Sequence, residues 1–179
     1  MRFHVIFSTY GSWLFGDPRG FRTRAHHIHV EGDYKNPPPP GTWDELHEES
    51  RRSLKGSPII IPASLRETVG RACLEQFAKE GVEVFCMSVG GQHVHVAFEG
   101  PSGDVRPMIG RVKKVSSHRI RANMPGRVWS GGGKILRVTD EGHWANVLRY
   151  VTRQSGHAWV WAGVRTAPGV SPFLPAGRG

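Results

Sequence analysis

Two apolar runs, Val82 to Val89 and Gln92 to Phe98, flank Gly90-Gly91, and no other feature constrains the fold of this chain as tightly. Strand-like segments joined by two glycines read as a β-hairpin, because glycine alone enters the required turn conformations without steric cost. The second run contains His93-Val94-His95. Side chains alternate faces along a strand, so both imidazoles point one way and Val94 points the other, toward a core. Two imidazoles held side by side on a sheet can supply half of a metal's ligand set. Taken alone, the triplet reads equally well as an amphipathic strand with two polar residues in solvent.

The segments around the hairpin extend the pattern. Arg2 to Thr9 alternates around Phe3, Val5 and Phe7 and predicts a first strand. Ser64-Leu65-Arg66-Glu67 fits a capping box, Ser64 as cap and Glu67 reaching back, for a helix burying Leu65, Val69, Ala72, Cys73 and Phe77 and stopping at Gly81. Val105 to Ala122 predicts a second helix with Val105, Met108, Ile109, Val112 and Ser116 on one stripe. Gly131-Gly132-Gly133 breaks the chain before a short strand, Lys134 to Val138. Asp140 can cap a last helix running to about Gln154, with Trp144, Val147, Leu148 and Val151 inward.

This order is a split βαβ arrangement. The expected class is α+β, ferredoxin-like and RRM-like in outline: a four-stranded antiparallel sheet with helices packed on one face, plus a further C-terminal helix. A chain of 179 residues suffices for one domain with a sizeable core and is short for two. A single domain over 1–179 is therefore expected, with an irregular insertion at about 10–62 and a surface tail at about 156–179. Within the insertion, a short helix fits around Trp43 to Ser53.

Charge points to a polyanion. The chain carries 24 Lys and Arg against 15 Asp and Glu, for a net charge of +9. Arg106, Arg111, Lys113, Lys114, Arg119, Arg121 and Arg127 follow one another with no acid between Val105 and Arg127. Phosphate contacts are expected from Arg106, Arg111, Lys113, Lys114, Ser117, Arg119 and Arg121; the bland alternative is a solvated helix face. No apolar run approaches the roughly 20 residues of a membrane span, and no basic stretch precedes an apolar leader. Cys73 and Cys86 lack metal-ligand spacing, which suits a reduced cytoplasmic protein.

Tyr150 and Gln154, four apart, stand on one face of the last helix, with Asn146 and His143 on roughly the same stripe. If that face lies over the sheet where His93 and His95 project, two imidazoles and an amide oxygen can hold a divalent metal near a phenol. A metal on a phosphate oxygen withdraws charge in the transition state, and a phenol can attack a phosphodiester when a cation or base assists it. Such attack by Tyr150 would give a phosphotyrosine and a free sugar hydroxyl, keeping an ester that can be resealed without ATP. His143 is a candidate to orient the tyrosine or act as base. His26, His27 and His29 form a second cluster without a carboxylate or cysteine at ligand spacing, and Trp13, Trp43, Trp129, Trp159 and Trp161 are candidates to stack on unpaired bases.

These residues resemble the single-tyrosine HUH transposases of the IS200/IS605 type, including relatives associated with repetitive extragenic palindromes. The resemblance runs through Gln92-His93-Val94-His95, Val112-Lys113-Lys114-Val115-Ser116-Ser117-His118-Arg119, Val128-Trp129-Ser130 and Tyr150-Val151-Thr152-Arg153-Gln154. It implies His93, His95 and Gln154 as metal ligands and Tyr150 as the nucleophile that forms a 5′-phosphotyrosine. It also implies cutting and rejoining of single-stranded DNA near hairpins by a bacterial cytoplasmic protein. Either a dimer with active sites shared in trans or a monomer is compatible with it. Imidazole suits zinc, nickel or copper, whereas phosphoryl chemistry suits Mg2+ or Mn2+, and the resemblance favours the latter pair. The stretch from Tyr10 to Pro62, absent from compact members, departs from the pattern.

Two rival readings remain at this level. A non-catalytic RRM-like nucleic-acid binding module would need aromatic platforms on the central strands, where Phe85 and Phe98 are the candidates. A replication initiator or relaxase would share the tyrosine chemistry, but no second tyrosine accompanies Tyr150 nearby.

Overall fold

The computed structural model describes residues 1–18, 21, 39–154 and 158–163. In chain order the elements are β1 (Arg2–Ser8), α1 (Asp44–Arg52), α2 (Ala63–Lys79), β2 (Glu83–Val89), β3 (His93–Glu99), α3 (Arg106–Arg119), β4 (Lys134–Val138), α4 (Glu141–Thr152) and β5 (Trp159–Ala162). The chain divides into two compact units, one of Met1–Thr9 with Ile60–Gly179 and one of Tyr10–Ile59.

The first unit is α+β. Its sheet has the order β4-β1-β3-β2-β5, and every neighbouring pair is antiparallel. Hairpin formation at Gly90-Gly91 follows the sequence expectation, the Gly90 amide donating to the His93 carbonyl at 2.9 Å. In the β1–β3 register, Phe3 faces Phe98 and Phe7 faces Val94, whereas His4 lies opposite Ala97 and Ile6 opposite His95.

Alternation then sorts the two faces. Phe3 stacks on Phe98, Phe77 of α2 packs against Phe98 at 5.2 Å, and the Lys113 ammonium of α3 lies 5.6 Å from the Phe7 ring. Thus α2 and α3 cover the face bearing Phe3, Val5, Phe7, Val94 and Phe98. On the opposite face, Trp144, Val147, Leu148 and Val151 of α4 pack with Cys86, Ala97 and Val138. These four α4 positions follow i, i+3, i+4, i+7, as the sequence predicts, and burying such side chains contributes roughly 1.5–3 kcal/mol apiece. The Asp140 carboxylate caps α4 by accepting from the His143 amide at 2.6 Å.

Two expectations are corrected. The sheet has five strands, because Trp159–Ala162 pairs with β2 within the segment read as a surface tail. Four residues are too few for a periodicity signal, and the strand docks where Gly70 leaves α2 bare: a Cβ there would stand 2.0 Å from the Trp159 ring. The remaining tail positions, 155–157 and 164–179, lie outside the described residues. The two helices of the split βαβ core, α2 and α3, share one face as expected, and α4 lies over the other, where His93 and His95 project. The capping box at Ser64 does not form. Pro62, extended at φ −63° and ψ 152°, is the N-cap, which puts Ser64 inside the helix and leaves Glu67 to bond Arg71 at 2.8 Å.

In the second unit, α1 forms within the segment expected to be helical. The Tyr10 carbonyl accepts from the Ile59 amide at 2.8 Å, and the Tyr10 hydroxyl accepts from the Lys55 amide at 2.8 Å. Gly16, at φ +80°, lies so close to the His47 backbone that a Cβ would meet its nitrogen at 2.4 Å. Trp43 packs edge-on against Phe21 at 5.4 Å. The histidine cluster His26, His27 and His29 lies outside the described residues.

Candidate active site

Strand alternation brings His93 and His95 onto the α4 face of β3, their ring centroids 4.9 Å apart and nearly perpendicular. β3 has strands on both sides and layers on both faces, so His95 is only 5% exposed, while His93 at the strand's start is partly exposed. Tyr150 stands on the flank of the buried α4 stripe. Its ring meets His95 edge-on at 5.3 Å, and the side chain is 52% exposed. The phenol and the histidine pair are thus neighbours within one chain. Arg2 secures the start of α4, bonding Glu141 at 2.5 Å with its guanidinium 5.5 Å from the Trp144 ring.

Sequence reasoning missed His4. It alternates with Phe3 and Val5 on β1, projects to the same face as His95, and is 6% exposed. Its Nε2 lies 3.2 Å from His95 Nδ1, and its ring is 6.3 Å from Tyr150. The small Ala97 side chain directly opposite His4 leaves room for this diagonal pairing. Burial is the main reason both imidazoles titrate low. His4 falls to about 4, with repulsion from His143 and Lys134 adding to the effect. His95 falls to about 3, with His93 and His4 contributing. Both rings are neutral around pH 7, the state that ligates metals. The parity of β1 was the available signal: if Phe3, Val5 and Phe7 turn inward, His4 and Ile6 share the other face.

Asn146, Arg149, Tyr150, Arg153 and Gln154 line an open recess of about 400 Å³ on the exposed side of α4. The Gln154 side chain makes no hydrogen bond to another described residue, and it lines this recess together with Tyr150. Arg149, which donates to the Asn146 amide oxygen at 3.2 Å, and Arg153 were not singled out from sequence. They bring two cations and no acid beside the phenol. Among the described residues, no cluster of three His, Cys, Asp or Glu has metal-holding geometry. The donor set is therefore the His93 and His95 imidazoles, the latter held neutral by burial, with the Gln154 amide beside the phenol. It fits a divalent ion whose remaining ligands and balancing charge come from a phosphate.

The expected phosphate contacts of α3 sit on the other side of the sheet from Tyr150, and several are engaged within the fold. Arg111 forms a two-point pair with Glu80 at 2.7 Å, and Arg119 pairs with Glu75 at 2.5 Å. Arg106 pairs with Asp104 at 3.2 Å. The Lys113 ammonium donates to the Ser130 and Gly132 carbonyls, tying α3 to the loop before β4. Ser117 bonds the Lys114 carbonyl of its own helix at 3.1 Å. Lys114 and Arg121 form no ion pair with a described residue.

Of the tryptophans, Trp129 is buried, donating from Nε1 to Ser116 Oγ at 3.1 Å and meeting Phe7 edge-on, while Trp13 is half-exposed. Phe98 is fully buried and Phe85 packs against Trp144, so neither offers a stacking platform on the central strands. Among the described residues, no helix is long and apolar enough to cross a membrane.

A candidate transposase from Deinococcus radiodurans is similar at 12% identity and a TM-score of 0.45, over 84% of this chain and 88% of its own. A REP-associated tyrosine transposase bound to a REP hairpin is similar at 10% identity and a TM-score of 0.48, over 84% of this chain. The match spans 64% of that protein's length, somewhat under two thirds. No curated protein matches the sequence. The model of the family described as "Transposase IS200 like" matches residues 57–154, more than half the chain and the whole run from α2 through Gln154. The chain belongs to the family of IS200-like transposases.

Proposed function

We propose that this transposase is a metal-dependent single-strand DNA endonuclease and strand transferase whose nucleophile is Tyr150. The observation that carries the reading is the 5.3 Å approach of the Tyr150 ring to His95 on the same face as His93. In the cleavage step the Tyr150 phenolic oxygen bonds to phosphorus, the bond from phosphorus to the 3′ oxygen breaks, and the phenolic proton is lost. The products are a 5′-phosphotyrosine and a 3′-hydroxyl strand. Rejoining reverses the exchange with an incoming 3′-hydroxyl, and because one ester replaces another no nucleotide cofactor is consumed. His93, His95 and Gln154 would hold Mg2+ or Mn2+, which when bound withdraws charge from the phosphate under attack.

The chain's own residues do the rest. Burial keeps the His95 imidazole neutral, α4 holds the phenol against it, and Arg149 and Arg153 supply positive charge where the strand must lie. Hairpin or palindromic DNA is the proposed substrate, with Lys114 and Arg121 contacting its backbone away from the cut, in a cytoplasmic setting. The test is incubation with single-stranded hairpin DNA and Mn2+, followed by mass spectrometry of tryptic peptides. A peptide–oligonucleotide conjugate on Tyr150 is expected, and none from Tyr150→Phe, which should still bind the hairpin. An adduct persisting in that variant would remove Tyr150 from the role.

A further inference from the structure

We propose that His4 is a positioning residue, holding His95 in the tautomer and orientation that present its Nε2 to the metal. The inference rests on His95 being a ligand, and it assigns a role to a side chain outside the ligand set.

The geometry leaves few alternatives. His4 Nε2 and His95 Nδ1 face each other at 3.2 Å, and at 6% and 5% exposure neither ring has ready access to water as a substitute partner. Two facing imidazole nitrogens share one proton. If His4 donates it, neutral His95 carries its own proton on Nε2, and that nitrogen has no lone pair to offer. If His95 donates from Nδ1, its Nε2 lone pair is free. Only the second arrangement is compatible with ligation, so binding of the ion selects His95 as donor and His4 as acceptor. A partner on the far nitrogen of a ligating histidine sets both ring angle and basicity, and its loss typically costs about 10–100-fold in metal affinity. With Nε2 so engaged, His4 is not a third ligand. Consistently, His4, His93 and His95 do not form a metal-holding cluster.

Two substitutions separate the hydrogen bond from the packing, because the His4 ring also meets Tyr150. His4→Phe keeps an aromatic ring but has no acceptor, and His4→Gln keeps an acceptor. Each is made in the full-length chain on a Tyr150→Phe background, so that hairpin DNA stays uncleaved. Mn2+ affinity is read from the free-ion paramagnetic resonance signal, and thermal unfolding checks the fold. His4→Phe should bind Mn2+ about 10–100-fold more weakly, and His4→Gln should recover most of that loss. Long-range proton–nitrogen spectra of the chain carrying native His4, with Mg2+ and the hairpin, should show His95 protonated on Nδ1. Unchanged affinity in His4→Phe, equal weakening in both variants, or His95 protonated on Nε2 would overturn the assignment. If His4→Phe does not fold, the tautomer spectrum decides. His95→Ala binding Mn2+ as tightly as the parent would instead overturn the metal reading itself.

Discussion

The rings of Tyr150 and His95 meet nearly perpendicular within a single chain, at 5.3 Å between centroids. Four apolar side chains of α4 hold Tyr150 there by packing on the same sheet that carries the histidines. Exchanging α4 between subunits would require these contacts to be broken and remade. A mixing experiment reads the consequence: Tyr150→Phe and His95→Ala chains, each inactive alone, should remain at background cleavage when combined. Recovery of activity in the mixture would show that the working site draws its tyrosine from a second copy.

Acid should weaken the fold through the same buried rings. Folded His4 titrates near 4 and His95 near 3, whereas in the unfolded chain each titrates near the ordinary 6.5. Between those values the unfolded state binds more protons than the native one, so stability rises with pH across the window. Stability is thus undiminished above about pH 6.5 and falls below it, by on the order of 1–2 kcal/mol per imidazole by about pH 5. Urea midpoints taken from neutral pH down to about pH 5 should decline, with a shallower decline in His4→Gln. A flat profile in the parent chain would contradict the burial argument.

Legibility from sequence tracked the range of the interactions. The Gly90-Gly91 hairpin, the α4 stripe and the Asp140 cap depend on neighbours within a few residues, and all appear where their patterns lie. The approach of α4 to the histidine face follows from there being one sheet face left to cover. His4 could not be weighed, because its partner lies 91 residues away and only the β1–β3 register joins them. The cations of α3 look unneutralised along the chain, yet Glu75 of α2 and Glu80 at its C-cap reach Arg119 and Arg111 from 44 and 31 residues earlier. Arg149 and Arg153 gain meaning only once α4 faces outward beside Tyr150.

This redistribution of charge changes which substitutions should affect DNA. Alanine at Lys114, Arg121, Arg149 or Arg153 should each lower the slope of log affinity against log salt by about 0.7 wherever a single-strand phosphate contact is lost. Lys113→Ala should act on the fold instead. Its half-buried ammonium satisfies the Ser130 and Gly132 carbonyls, and removing it strands those acceptors. Fluorescence anisotropy over a salt series, beside thermal melts, separates the two behaviours. An undiminished slope in all four exposed variants would place the DNA elsewhere on the surface.

Packing of β5 makes the last prediction. Replacing a mid-helix glycine by alanine ordinarily stabilises a helix by about 1 kcal/mol. At Gly70 the added carbon would stand 2.0 Å from the Trp159 ring, well inside contact distance, and a half-buried ring packed on the helix cannot yield cheaply. The clash should win, for a net loss of roughly 1–3 kcal/mol and a red-shifted tryptophan emission as β5 loosens. In a Trp159→Ala background the ring is gone, and the same Gly70→Ala change should become neutral or stabilising. That reversal of sign in a double-mutant cycle is the decisive readout. Destabilisation by Gly70→Ala of equal size in both backgrounds would mean that Trp159 does not dock against α2 in solution.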